Sequence, residues 1–384
     1  MLENLLSRVL KKWRVGSERN DNTMRKLDKQ ALYDILNGCA ILGTGGGGQL
    51  SEGIALIDRA LDEKRIFTLT TLEDMPDDNL IGVPYYCGAL TKQEVNPLAH
   101  LKELPEPESV LATRAMERYL NRSFDGFMST ELGGANTALA FYTAAVMEKP
   151  IVDADPAGRS VPDLQHSIFL LHDIPITPLS VADAYGNSAI IDEVHSDERA
   201  EHWVRALAVA SNNVVGVLDH PAKVADIRGV VIEGAITYAE KLGSALRTAI
   251  SAKADPVEAV IKAGQGKRLF NGEVSVAEFE DRDGFTFGTI VLNGLGDYSG
   301  NEYKIWYKNE NIISWLNGKI HATVPDLICM LDDAFNPQMN PLVKVGQKFT
   351  VFALPAPEQW KTERGLDCFG PRSFGYDVDY KPIC

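Results

Sequence analysis

FDGFMSTELGGANTALAFYTAAVMEKPIVDAD, residues 124–155, is the stretch that decides the fold class. Phe124–Ser129 reads as a strand, Gly134–Glu148 as a helix and Pro150–Ala154 as a second strand. A strand, a helix and a strand of these lengths form a parallel β-α-β unit with a right-handed crossover. Upstream, Arg65–Thr70 and Leu80–Tyr86 read as further strands and Glu108–Leu120 as a helix, so the first part of the chain is expected to be α/β.

Further upstream, apolar residues at 32, 35, 36, 39 and 42 share one helical face, and Asp28 is placed to cap its start. Ser51–Leu61 carries Ile54, Leu56, Ile57, Ala60 and Leu61 at helical spacing. The turn Gly43-Thr44-Gly45-Gly46-Gly47-Gly48 therefore joins two helices. Beyond about Ile176 the pattern changes. Glu198–Ser211, Gly229–Ile250 and Pro256–Ala263 read as helices, and Lys267–Leu292 alternates as strands around Asp281-Arg282-Asp283-Gly284. Short strands follow at Glu302–Tyr307, Ile312–Leu316, Lys319–Val324 and Phe349–Ala353. The expected organisation is a parallel-sheet α/β domain over residues 26–175 and a β-rich α+β domain over 176–384, its tail returning to the pocket. Residues 1–25 form a separate arm, with Leu2, Leu5, Leu6, Val9, Leu10 and Trp13 at helical spacing beside Arg8, Lys11, Lys12 and Arg14. Such a basic amphipathic helix packs on its own protein or on a neighbouring subunit, or lies on a membrane surface.

The chain has 384 residues, more than the roughly 250 to 300 at which a single core stops growing, so two packed units are expected. A net charge of -15 disfavours nucleic acid as a partner, because the protein's field repels phosphate. Five scattered cysteines without Cys-x-x-Cys spacing suit reduced thiols in the cytoplasm. No apolar run reaches the length needed to cross a bilayer, and the start lacks the continuous apolar centre of a signal peptide. A small-molecule substrate and a homo-oligomeric state are expected.

Gly43-x-Gly45-x-x-Gly48 has the letters of a dinucleotide fingerprint, but that motif works after a strand and here a helix precedes it. No Gly-Lys-Ser/Thr follows, which removes the triphosphate-binding loop as well. Backbone N–H groups of Gly45, Gly46, Gly47 and Gly48 are then expected to hold a carboxylate, phosphate or carbonyl oxygen. Ligands of parallel sheets bind beyond the carboxyl ends of strands. That rim holds Cys87, then Glu131, Gly133, Gly134 and Asn136, then Asp153 and Asp155. Gly133-Gly134 opens a helix and offers further donors. Arg159 is placed to clamp a substrate carbonyl or pair with one of these acids, and Arg372 lies in a constrained aromatic segment near the C-terminus. Asp153, Asp155 and Glu131 are able to hold a divalent metal, although nothing in the sequence requires a cofactor. Cys87 reads as a buried, inert thiol.

The blocks Ala40–Gly48, Glu131–Asn136, Val152–Asp155, Gly158-Arg159 and Gly370–Asp377 together resemble the signature blocks of the DUF917 family, named after S-methyl thiohydantoin desulfurase. The resemblance runs from about Lys26 to the C-terminus. It implies an α/β N-terminal domain, a β-rich C-terminal domain, and hydrolysis of a 2-(S-methyl)thiohydantoin to hydantoin and methanethiol. The chain departs from the family pattern at Pro156-Ala157, Ser160-Val161 and Tyr85-Tyr86-Cys87, changes that bear on the substrate rather than on the fold. In the mechanism so implied, Asp155 is the general base, Asp153 or Glu131 the partner acid, and Asn136 with the glycine N–H groups orients the ring. Ring opening of a hydantoin or lactam, and a non-catalytic small-molecule sensor, are the alternatives.

Overall fold

The computed structural model describes residues 24–88, 96, 98–282 and 284–383. Of the arm expected over 1–25, all but the last two positions lie outside the described residues.

Asp28 accepts a hydrogen bond from the Ala31 N–H and so starts helix α1, Lys29–Leu42. After the glycine turn comes α2, Leu50–Asp62. Helix α3, Glu108–Leu120, and α4, Asn136–Val146, then cover one face of an eight-stranded sheet. Its strands are β1 (Arg25–Leu27), β2 (Phe67–Thr70), β3 (Leu80–Gly88), β4 (Gly126–Phe127), β5 (Ile151–Val152), β7 (Leu179–Ala182), β8 (Ser188–Ile191) and β9 (Val214–Lys223). They lie in the order β1-β2-β5-β4-β3-β9-β7-β8. The central run β2-β5-β4-β3 is parallel, as the β-α-β reading requires, and the remaining pairs are antiparallel. β6 (Ala154–Asp155) leaves this sheet and pairs with β10 (Ile232–Glu233).

Strands β7, β8 and β9 all follow residue 176, so the division expected at 175/176 falls inside the first sheet. None of these three strands is expected from the sequence, and the long one, β9, starts at Asn212-Asn213-Val214-Val215-Gly216 with neither clean alternation nor a helical face.

Helix α5 (Ile168–Leu171) is a single turn, and α6 is Asp197–Ala210. A second turn, α7 (Val224–Ile227), leads to α8 (Ala235–Ala252) and α9 (Pro256–Gly264). The second sheet has seven antiparallel strands: β11 (Lys267–Arg282), β12 (Phe285–Gly294), β13 (Glu302–Lys308), β14 (Glu310–Leu316), β15 (Lys319–Thr323), β16 (Leu327–Asp332) and β17 (Lys348–Leu354). Their order is β15-β14-β13-β12-β11-β17-β16. Helix α10, Glu363–Phe369, precedes the tail. No helix among the described residues is long and apolar enough to cross a membrane.

The two sheets share one core. Leu32, Ile35 and Leu36 of α1 and Phe141 of α4 pack in the same cluster as Ile236 and Leu242 of α8 and Phe352 and Leu354 of β17. Fully burying each such side chain contributes about 1.5–3 kcal/mol, so this shared cluster binds the halves together. The α1–α8 contact is unusually close. A Cβ on Gly38 would stand 1.8 Å from the Ala239 carbonyl oxygen, and one on Gly243 1.9 Å from that of Asp34. Arg247 on α8 grips the same Asp34 with two hydrogen bonds of 2.8 Å. Gly38→Ala must force the helices apart, at a cost of about 1–3 kcal/mol. The expected outcome is a clearly lowered thermal unfolding midpoint relative to the unsubstituted protein.

Candidate functional site

The two glycine-containing turns of the sequence meet. A Cβ on Gly47 would lie 2.5 Å from the Gly133 Cα, and Gly45, Gly47 and Gly48 all have positive φ. Some of their donors are bonded within the protein. The Gly46 N–H bonds the Gly43 carbonyl, those of Ala135 and Asn136 share the Gly47 carbonyl, and that of Gly133 bonds Thr137 Oγ1. The glycines thus permit close docking of the two turns, which gives the second turn the part of a docking surface rather than of an open set of donors.

Beside this contact lies a cavity of about 520 Å³. Gly45, Gly46, Gly47, Gly48, Glu131 and Asn136 line it. Gly133, Gly134, Asp153, Asp155, Arg159 and Arg372 do not belong to its lining.

Each of these has another place. Asp153 accepts from the N–H and hydroxyl of Thr237 at 2.9 and 2.5 Å, capping the start of α8. Asp155 is fully buried and turns both oxygens to the Gly158 N–H, at 2.7 and 2.8 Å. Burial pushes its carboxyl well above the usual range against the pull of that N–H. Arg159 is also fully buried, and its guanidinium donates to the Ser160, Asn311, Pro325 and Asp326 carbonyls and to Thr44 Oγ1. All five donors of the fork are spent, so Arg159 joins the glycine turn to the second sheet. Arg372 is exposed and pairs with Asp377 and Asp379. Asp153, Asp155 and Glu131, the suggested metal ligands, face three different partners. Among the described residues no three His, Cys, Asp or Glu side chains are grouped to hold a metal ion.

The carboxylate that sequence reasoning missed is Glu310, the first residue of β14. It is 2% exposed, lines the cavity, and rests on Gly46, where an added Cβ would fall 1.7 Å from its Oε1. Its Oε1 accepts from Ser160 Oγ at 2.9 Å, while Oε2 is buried without a hydrogen-bond partner. The neighbouring residue, Val161, donates its N–H to Glu131 Oε2 at 2.8 Å, and Asn136 Nδ2 donates to Glu131 Oε1 at 2.8 Å. Two carboxyls thus share the Ser160-Val161 segment. Burial, reinforced by the Glu131 charge, pushes Glu310 up to about 8, with the Ser160 hydroxyl and Arg159 opposing. Burial likewise raises Glu131, against the hydrogen bonds from Asn136 and Val161. Both carboxyls are thus pushed toward the protonated form, and the pair titrates as a unit that retains a proton toward neutral pH.

A second group, also absent from the sequence reading, is built on β9. Tyr85 OH donates to Asp219 Oδ2 at 2.8 Å, and Asp219 Oδ1 meets His220 Nδ1 at 2.8 Å. All three residues line the cavity. His220 is isolated in sequence, and the group forms only because Tyr85 comes from a distant strand to hold Asp219, the residue that binds His220 Nδ1.

Tyr85, Tyr86, Cys87, Pro156 and Val161, which depart from the family pattern, line the cavity too. Burial pushes the Cys87 thiol up to about 12, which leaves it protonated and inert. The tail returns by way of Phe374, whose ring lies 5.4 Å from that of His166 in the cavity wall.

With this geometry in view, the comparisons with known proteins agree in outline. A crystal structure of a protein from Chromobacterium violaceum superimposes with a TM-score of 0.76 over 94% of this chain and 100% of the other, at 21% identity. At that identity the likeness concerns the fold. No curated protein matches the chain in sequence. Family models match residues 30–193 as the S-Me-THD-like N-terminal domain and residues 195–383 as the S-Me-THD-like C-terminal domain. Nearly the whole chain is thus spanned by the two domains of one family in their order, and the protein belongs to the S-Me-THD-like family.

Proposed function

We propose that the protein is a hydrolase of small five-membered cyclic amides and that its reaction is the conversion of a 2-(S-methyl)thiohydantoin to hydantoin and methanethiol. The observation that carries this reading is the pair of buried carboxyls, Glu131 and Glu310, held by the adjacent residues Ser160 and Val161 on a cavity of a size to enclose a small ring. The family supports the substrate class. Asp153 and Asp155, bound elsewhere, give way to this pair as the acid-base candidates.

Water attacks the ring carbon that bears sulfur. As the C–N π bond opens, Glu310 gives its proton to the ring nitrogen, and Glu131 and Asn136 orient the ring edge. The tetrahedral carbon then expels methanethiolate. Its hydroxyl proton returns to the carboxylate pair as the new carbonyl forms. Neutral Glu310 suits this work because a charged carboxylate has no proton to give. Opening of the ring at its amide bond would use the same pair, and the product separates the two: hydantoin and methanethiol, or a ring-opened ureido acid.

Glu310→Gln keeps the shape and removes the transferable proton. Turnover of 2-(S-methyl)thiohydantoin, followed by methanethiol release, is expected to drop about 10²–10⁴-fold, whereas Arg372→Ala changes it by less than about twofold. Undiminished turnover in Glu310→Gln would remove this residue from the mechanism.

The same carboxyl makes a stability prediction. The folded protein holds the Glu310 proton up to about pH 8, whereas an unfolded chain releases it near 4.5. Its contribution is complete below 4.5 and is lost as pH rises to about 8. Across that window Glu310 adds a downward slope on the order of 1 kcal/mol per pH unit. Denaturant unfolding of Glu310→Gln between pH 5 and 8 is expected to show a slope flatter by that amount.

A further inference from the structure

The reaction above, on which this inference rests, leaves one proton without a destination. Attack by water releases it before the thiolate departs, when Glu310 carries its own proton and Glu131 already accepts hydrogen bonds from Asn136 and Val161. We propose that His220, oriented by Asp219 and Tyr85, takes this proton at Nε2 and later delivers it to the departing methanethiolate.

Four independent features of the fold converge on this ring. Its Nδ1 is held by the Asp219 carboxylate, which a carboxylate does by accepting, so the Nδ1 position carries the hydrogen and Nε2 keeps the lone pair. Nε2 is buried and has no hydrogen-bond partner, although the side chain lines the cavity. The ring is stacked on Phe169, another cavity residue, at 4.4 Å between centroids, which fixes its plane. Finally, the backbone is distorted to place it. His220 has φ of 41°, a left-handed conformation uncommon for any residue other than glycine. It lies in a bulge where the pairing of β3 with β9 slips between Ile81 and Val83. A β-bulge re-aims a side chain, and strain at such a position persists only when the surroundings hold it. Here the holding contacts are the His220 N–H on the Ile176 carbonyl at 3.3 Å and the Asp219–Tyr85 hydrogen bond.

Proton and electron balance closes. The water O–H electrons form the C–O bond while its proton goes to His220 Nε2, and the ring nitrogen takes the Glu310 proton. On collapse the C–S electrons leave with sulfur, His220 returns its proton to sulfur, and the hydroxyl proton restores Glu310. One water and one thiohydantoin give one hydantoin and one methanethiol. Besides Asp219, the carboxylate whose charge acts on this ring is Asp197, in the first turn of α6.

The test uses the full-length protein with 2-(S-methyl)thiohydantoin, following methanethiol and hydantoin release across pH. His220→Asn accepts the left-handed backbone, and Asp219→Asn keeps His220 but replaces the acceptor-only carboxylate by an amide that can also donate, so the tautomer is no longer fixed. Both are expected to lower kcat about 10²–10⁴-fold with KM within about threefold, and the acid limb of the wild-type kcat/KM profile is expected to vanish in His220→Asn. Thermal melts and a ligand-induced shift of the melt verify that the variants fold and bind. If folded His220→Asn turns over within about threefold of wild type, or retains the acid limb, the assignment falls while the reading of the site stands. If the wild-type protein releases neither product, the reading itself falls and takes the assignment with it.

Discussion

A single buried guanidinium holds the site region together. Arg159 places a full positive charge where water is excluded, and burial, opposed by the charges of Glu310, Asp326 and Glu131, lowers its pKa to about 10. It stays charged at neutral pH, so every donor must find an acceptor inside the protein. The acceptors come from three places: Thr44 of the glycine turn, Ser160 beside it, and Asn311, Pro325 and Asp326 of the second sheet. One side chain thereby sets the position of β14 against the glycine turn, and the next residue down β14 is Glu310.

The carboxylate pair follows from that placement. Glu310 reaches the glycine turn because Gly46 leaves its Cβ position empty, and Glu131 reaches the same segment because Gly47 and Gly133 allow the two turns to meet. The nearby Arg159 charge favours one ionised carboxylate, while burial and mutual repulsion oppose two. The result is a shared proton in a closed space. The glycine turn therefore acts through what it admits, a carboxyl and a second turn, as much as through the N–H groups it carries.

Most of the architecture was legible along the chain because it rests on local periodicity. The helices α1, α2, α3 and α9 and the hairpin β11–β12 have clear patterns and clear stops, such as Asp28 before α1 and Pro256 at the start of α9. Strand β9 was hidden because its pairing partners lie more than a hundred residues upstream or across a helix, and its middle holds Asp219, His220 and Pro221 in a bulge. On the strand-end rim Glu131 and Asn136 line the cavity, whereas Asp153 and Asp155 do not. The difference arises because β6 turns away to pair with β10, carrying both acids toward α8 and the Gly158 turn.

What the sequence by itself determined is therefore the class of each element, the helix-to-helix setting of the glycine turn, and the signature blocks that mark the family. These depend on hydrophobic spacing, caps and turn residues, which act over a few positions. Which carboxyls titrate together, and which histidine lines the same cavity, was decided only by the tertiary structure. Glu310 and Glu131 are 179 positions apart, and Tyr85 and Asp219 are 134 apart. The shared burial of the first pair and the hydrogen bond of the second exist only once Arg159, the facing glycines and the β9 bulge have brought distant segments to one cavity.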